Sequence, residues 1–311
     1  MAGPPLITGA TGFAGSHLLD LLLNDHAIVH AWFNPRGRAP SHARDRVRWR
    51  GVDLLDASSI QAGLGEAAPS VIYHCAGVAD VQAAWRAPAR ALEVNAVGTH
   101  RLLDAAARAG FSGRVLVTGS ALVYARSTDA LTEDDPLTPI GPYAVSKLAQ
   151  EMAAARSGLD VVLVRPFNHA GPRQDESYVT SAFARQIADI ERGVGEPVLR
   201  VGNLDAQRDI TDVRDVVRAY RALASSGRPH TPYNVCRGQA YRVGDLLQML
   251  LSLASVGVEV RTDPARLRPS DNPVVLGSHD RLTRDTGWMP SITIEQTLAD
   301  ILDYWRSSAA A

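Results

Sequence analysis

The sequence predicts an α/β protein, a doubly wound parallel sheet followed by a smaller α/β part. Three observations carry this. Apolar runs of strand length alternate with helical patterns through the first half, the mark of a parallel sheet wrapped by helices. A glycine-punctuated turn, Gly9-Ala10-Thr11-Gly12-Phe13-Ala14-Gly15, joins the first such strand to the first helix. After Pro166 the alternation weakens into loops rich in Gly, Pro, Asn and Arg, with shorter periodic segments between them.

Pro5-Leu6-Ile7-Thr8 reads as a short buried strand and Ser16 to Leu23 as the helix that follows it. Residues without Cβ between them permit a tight turn and let a pyrophosphate approach the backbone. They also let the helix pack closely on the sheet, with its N-terminal amides facing the anion. The turn has one more residue between its first two glycines than the simple G-x-G-x-x-G fingerprint, but it has the strand-turn-helix context such a site requires. The expectation is therefore a Rossmann-type sheet. Ala27 to Trp32, Ser70 to His74, Arg114 to Thr118 and Asp160 to Arg165 supply its next strands. Leu92 to Arg108 and Tyr143 to Ser157 read as long alanine-rich helices. Their small side chains allow close approach, so they form either a four-helix homodimer interface or simple cover for the sheet. Val213 to Ala224 reads as a helix and Tyr233 to Cys236 as a short strand. The predicted division is a dinucleotide-binding domain over 1–166, to which segments near 211–238 return, and a mainly substrate-binding domain over 167–311.

A chain of 311 residues can bury a sizeable core, as one large α/β domain or two smaller ones. Its 32 basic residues are balanced by 33 acidic ones, a net charge of -1, which gives no electrostatic basis for nucleic-acid binding. The cluster from Arg44 to Arg50 is too short to form the stripe a duplex demands. No apolar stretch is long enough to span a bilayer, and the first strand begins where a signal peptide would stand. Cys75 and Cys236 are isolated, without metal-ligand spacing, so reduced structural thiols and no metal are expected. The simplest reading is a soluble cytoplasmic protein.

The chemistry centres on Tyr143 and Lys147, four apart on a helix opened by Gly141-Pro142 and therefore on one face. A free tyrosine titrates near ~10, and a fixed ammonium nearby lowers that by favouring the phenolate. Tyr143 can then give a proton to a carbonyl oxygen while hydride arrives at its carbon, with Lys147 also holding a nicotinamide ribose. Ser120 follows the strand Arg114 to Thr118, and ligands in such sheets bind beyond the carboxyl ends of strands. Its hydroxyl can polarise the same carbonyl. At the end of the second strand, Trp32-Phe33-Asn34-Pro35-Arg36-Gly37-Arg38 lacks the acid that accepts a ribose 2′-hydroxyl. Arg36 or Arg38 suits a 2′-phosphate, which favours NADPH over NADH; a solvent-exposed basic loop is the alternative.

Gly9-x-x-Gly12-x-x-Gly15, Asp53-Leu54, His74-Cys75-Ala76-Gly77, Asn95-x-x-Gly98-Thr99, Ser120 and Tyr143-x-x-x-Lys147 together resemble the extended short-chain dehydrogenase/reductases, over essentially the whole chain. Most of these modify nucleotide sugars. The resemblance implies cofactor contacts from Gly9, Thr11, Gly12, Phe13, Ala14, Gly15, Asp53, Leu54, Ala76, Gly77 and Asn95, with Asp53 at the adenine and Asn95 close to the active site. Arg165 to Pro172, Val201 to Asp215, Leu267 to Asp271 and Gly277-Ser278 look like the branch acting on GDP-sugars, which contains 4,6-dehydratases and 4-keto-6-deoxy-sugar reductases. This implies that Asn168, Val179 and Asn203 line the sugar-nucleotide site and that Arg208 and Arg268 grip the diphosphate, where a planar guanidinium suits phosphate oxygens. Asp271 stands where the branch often has Glu, on the GDP ribose.

Two departures bear on the reaction. A dehydratase needs an acid two residues after the serine or threonine hydroxyl, and here that residue is Leu122, which cannot transfer a proton. Asp80 stands where relatives commonly carry Ser near the sugar. The expected activity is NADPH- or NADH-dependent reduction of the 4-keto group of GDP-4-keto-6-deoxy-D-mannose to GDP-D-rhamnose. The alternatives are reduction to GDP-6-deoxy-talose and 4-epimerisation. A non-catalytic dinucleotide sensor is a further alternative, although such proteins often lose the tyrosine or lysine that this chain keeps.

Overall fold

The computed structural model describes residues 3–37, 45–266 and 272–308. The chain begins with β1 (Pro5–Thr8), α1 (Phe13–Asp25), β2 (Val29–Phe33), β3 (Val47–Gly51), α2 (Ala57–Ala67) and β4 (Val71–His74). Two short helices, α3 (Val81–Arg86) and α4 (Pro88–Leu92), lead through a π-helical turn, Glu93–Val97, into α5 (Gly98–Arg108). Then come β5 (Arg114–Thr118), α6 (Gly141–Ala155), β6 (Asp160–Pro166), β7 (Asn168–Ala170), α7 (Val179–Glu191), β8 (Val198–Val201) and β9 (Gln207–Asp212). The remainder is α8 (Val213–Ser226), β10 (Pro232–Val235), β11 (Ala240–Arg242), α9 (Val243–Ser252), β12 (Glu259–Thr262), β13 (Val274–Val275), α10 (Asp280–Thr286) and α11 (Ile294–Ser308).

Seven parallel strands form the main sheet in the order β10-β6-β5-β4-β1-β2-β3. The strand order reverses at β1, which pairs with β2 on one side and β4 on the other. In open α/β sheets ligands bind in the crevice beyond such a switch point. The central strands are apolar on both faces because helices cover both, and β1 is buried at all four positions. One core lies under α1 and α8, a second under α2, α5 and α6. A third core, outside the sheet, is built by α7, α9 and α11 with β8 and β9. The smaller sheets join β11, β9, β13 and β7, and pair β12 with β8.

The predicted strands at 5–8 and 114–118 are found with those bounds. The second strand runs two residues later at its start, Val29–Phe33. The sequence pattern does not predict β3, because Val-Arg-Trp-Arg-Gly carries two arginines and reads as part of a basic cluster. It is the edge strand, so its charged side chains reach solvent while Val47 alone is fully buried. The helix expected over 92–108 is interrupted by the π-helical turn, a device often found beside functional sites. The α6 helix starts at Gly141, whose φ of +84° only glycine adopts easily, with Pro142 pre-set for the first turn. Segment 213–235 supplies α8 against α1 and β10 beside β6. Arg38, Arg268 and Asp271 lie outside the described residues.

Candidate active site

A cavity of about 710 Å³ opens at the carboxyl ends of β1, β4, β5 and β6. One wall begins with the glycine turn. Gly9 takes φ +70°, and a Cβ on Gly15 would sit 2.2 Å from the Gly9 carbonyl oxygen, so these two positions admit no side chain without moving backbone. No side chain caps α1 at Gly12, and its first turn holds no acidic residue. Its N-terminal amides and the positive end of its dipole therefore remain for an anion on the cavity side, where Gly12, Phe13, Ala14 and Gly15 all line the wall. This cradle fits the pyrophosphate of a dinucleotide.

Buried side chains hold the wall in place. His74 bridges the Thr8 hydroxyl at 2.7 Å and the Thr99 hydroxyl at 2.8 Å, and Thr8 Oγ1 accepts from the Ala76 amide. Burial pushes the His74 imidazole down to about 3, so it stays neutral. Asn95, fully buried on the π-helical turn, accepts from the Val78 amide at 2.7 Å and donates to the Val78 carbonyl and to Ser146 Oγ. It thus fastens the loop that carries Ala76 and Gly77 rather than lining the cavity itself. Asp53, Leu54, Ala76, Gly77 and Thr11 do line it. Arg36 stands outside the lining, largely exposed, and pairs with Asp53 at 3.4 Å. Its neighbour Asn34 lines the cavity and accepts from the Arg36 amide.

Ser120, Tyr143 and Lys147 converge on the same cavity. Ser120 Oγ accepts from the Leu122 amide and shares a hydrogen bond with Tyr143. The buried Lys147 ammonium donates to the Thr118 carbonyl at 2.7 Å and to Gln150 Oε1 at 2.8 Å. Here the expected lowering of the tyrosine is overturned. Burial dominates and pushes Tyr143 up to about 12, offset only by the Ser120 hydrogen bond. The lysine is itself brought down to about 8 by burial, and the two hydrogen bonds named above tie it to the end of β5 and to its own helix. Tyr143 therefore holds its proton at neutral pH. Leu122, at the position a dehydrating acid requires, lines the cavity with an apolar side chain. Asp80 caps α3 by accepting from the Gln82 and Ala83 amides, while its neighbours Ala79 and Val81 line the cavity.

The opposite wall holds Asn168, His169, Gln174, Tyr178, Arg208, Asn272 and Val275. Asn168 and Arg208 are the sequence-predicted residues among them. Arg208 Nη1 donates to the Gln207 carbonyl at 2.7 Å, and burial makes its charge more costly than in water. Such a cation gains most from an anionic ligand. Val179 is exposed as the first residue of α7 and is not part of the lining, and its predecessor Tyr178 takes the lining position. Asn203 is exposed and outside the cavity, its Oδ1 accepting from the Asp205 amide. Sequence reasoning missed His169, whose ring stacks on Phe13 at 5.6 Å with 1° between planes, and whose Nδ1 is bonded to the Phe167 carbonyl. Its position directly after Asn168 was the available signal. Arg90 and Val94, brought in by α4 and the π-helical turn, had none. Among the described residues no cluster of His, Cys, Asp or Glu is arranged for a metal, and no helix is long and apolar enough to cross a membrane.

The family model described as GDP-mannose 4,6 dehydratase matches residues 6–301. GDP-6-deoxy-D-mannose reductase of Pseudomonas aeruginosa is 40% identical, over 97% of this chain and 96% of that protein. The structure of RMD from Pseudomonas aeruginosa complexed with NADPH superposes with a TM-score of 0.87 at 37% identity, covering 99% of this chain and 100% of that one. UDP-glucose 4-epimerase of Thermus thermophilus in complex with NAD gives a TM-score of 0.86 at 26% identity, covering 98% of this chain and 99% of that one.

Proposed function

The chain belongs to the GDP-mannose 4,6 dehydratase family, and within it we propose an NADPH-dependent reductase that converts GDP-4-keto-6-deoxy-D-mannose to GDP-D-rhamnose. The observation that carries this reading is the meeting of Ser120, Tyr143 and Lys147 on one cavity in which Leu122 replaces the acid that dehydration needs. The Pseudomonas aeruginosa reductase, similar along its whole length, supports the same substrate.

A bound nicotinamide supplies the hydride. Ser120 donates a hydrogen bond to the sugar 4-keto oxygen and orients it toward Tyr143. Tyr143, kept protonated by burial, transfers its phenolic proton to that oxygen as it becomes an alkoxide. Lys147, which lines the same cavity, would hold the cofactor ribose. Phe13, Ala14 and Gly15, at the uncapped start of α1, would hold the dinucleotide pyrophosphate. Asp53 and Leu54 would hold the adenine end, and the exposed Arg36 paired with Asp53 would suit a 2′-phosphate, which favours NADPH. Arg208 would grip the substrate diphosphate, a role the resemblance also gives Arg268, and Asn168 and Tyr178, which line the cavity, would contact the sugar. Functionally, residues 1–166 with the returning 211–238 segment form the cofactor domain, and the rest of 167–311 forms the substrate domain.

The protein acts as a homodimer in this reading. Trp85 on α3 (62% exposed), Val97 on the π-helical turn (41%) and Val145 (42%) and Met152 (60%) on α6 are exposed apolar side chains that a second copy would cover.

Incubation with GDP-4-keto-6-deoxy-D-mannose and NADPH or NADH, with cofactor absorbance followed and the sugar identified, tests the proposal. Stoichiometric cofactor oxidation with formation of GDP-D-rhamnose supports it. GDP-6-deoxy-talose as product would reassign the face of the sugar, and turnover without net cofactor consumption would make the protein an epimerase. Cofactor binding without turnover of any keto-sugar would leave a sensor.

A further inference from the structure

We propose that Gln150 is a positioning residue for Lys147, its Oε1 fixing the ammonium within the buried site and sustaining its charge. The inference rests on Tyr143 and Lys147 being the reacting pair, and its test is separable from theirs. Gln150 lies three residues after Lys147 on α6 and is fully buried. Its Oε1 accepts from Lys147 Nζ at 2.8 Å, beside the bond from Nζ to the Thr118 carbonyl at 2.7 Å. Its Nε2 is buried with no hydrogen-bond partner. An unsatisfied buried amide is a cost that an apolar residue of the same shape would remove. What such a residue could not do is accept a proton from the ammonium.

The surroundings make that acceptor matter. His74 and Cys75 face the ammonium from the end of β4, and Tyr143 stands one turn earlier on α6. His74 is neutral, and burial pushes Cys75 and Tyr143 each up to about 12, so none of the three brings a negative charge at neutral pH. Glu151 is the nearest carboxylate in sequence, but it is turned away into a pair with the buried Arg165, with 3.0 Å between Arg165 Nε and Glu151 Oε2. Two neutral oxygens, one of them from Gln150, therefore hold the cation. A hydrogen bond to the charged form favours that form. Removing the acceptor must lower the lysine midpoint, and replacing it with a carboxylate must raise it.

The test is titration of Lys147 in protein carrying isotope-labelled lysine, with the signal identified by its loss in Lys147→Arg. Gln150→Leu should move the Lys147 midpoint down by about one pH unit, and Gln150→Glu should move it up by about one unit or more. NADPH affinity, read by fluorescence, should weaken in Gln150→Leu while the melting temperature is retained, because an orphaned amide has gone. Gln150→Met serves if the leucine variant does not fold. Midpoints that coincide with wild type in both variants, or that move in the same direction, overturn the proposal. Tyr143→Phe judges the catalytic reading on its own, since wild-type turnover there removes that reading and leaves the Lys147 titration to decide Gln150.

Discussion

On the β1–β4–β5 side of the cavity much of the lining is backbone and small side chains, the glycine turn, Ala76, Gly77 and Ser120, with the apolar Phe13 and Leu122 beside them. Across from it, on the segment 166–178, β9 and the stretch before β13, the lining is long side chains: Asn168, His169, Gln174, Tyr178, Arg208 and Asn272. The first side is fixed by strands and by buried networks such as Thr8–His74–Thr99 and Asn95–Ser146. The second projects from loops and short strands outside the main sheet. A dinucleotide presents the same pyrophosphate wherever it binds, so fixed main-chain donors suffice to hold it. A sugar is distinguished by its hydroxyls and keto group, which side chains read one by one. The two sides should accordingly fail in different ways.

The largest effect is expected where both sides meet the reacting atoms. Tyr143→Phe should lower turnover roughly 10²–10⁴-fold with NADPH and substrate affinities largely kept, as separate binding and rate measurements would show. Next comes the backbone side. Gly15→Ala should weaken NADPH binding about 10–100-fold, because its Cβ meets the Gly9 carbonyl oxygen and the turn must open. A melting curve should fall along with the affinity. On the side-chain wall, Arg208→Ala should raise KM for the GDP-sugar about tenfold or somewhat more, the worth of a charge-assisted hydrogen bond, with NADPH affinity and melting temperature unchanged. If it also loses NADPH binding, the separation of the two sides is wrong. The smallest effect is at the exposed Arg36, whose replacement by Ala should shift the preference for NADPH over NADH by only about two- to fivefold.

The backbone side was legible in the sequence because its information is local. Gly9, Gly12 and Gly15 announce a turn, Pro5 to Thr8 a buried strand, and Tyr143-x-x-x-Lys147 one face of a helix. The substrate side was legible only in part. Arg208 sits in a short, mostly polar strand whose identity depends on pairing with β7, β11 and β13, none of which a period-two pattern reveals. Tyr178 lines the cavity and Val179 does not, because Tyr178 stands at the N-cap of α7 and Val179 is its first residue, a boundary that local pattern does not fix. Edge strand β3 was hidden by arginines that alternate with its inward residues.

By itself the sequence determined the parallel sheet, the glycine turn, the shared face of Tyr143 and Lys147 and the apolar Leu122, since each is written in a few consecutive residues or one helical turn. Only the tertiary structure decided which groups surround Ser120, Tyr143 and Lys147. It raised the Tyr143 pKa by burial, turned Lys147 toward Thr118 and Gln150, and made Asn95 a fastener for the Val78 loop. Proton affinity in a folded site is set by desolvation and by partners distant in sequence, here up to 29 residues for Lys147 and Thr118, and no local pattern contains them.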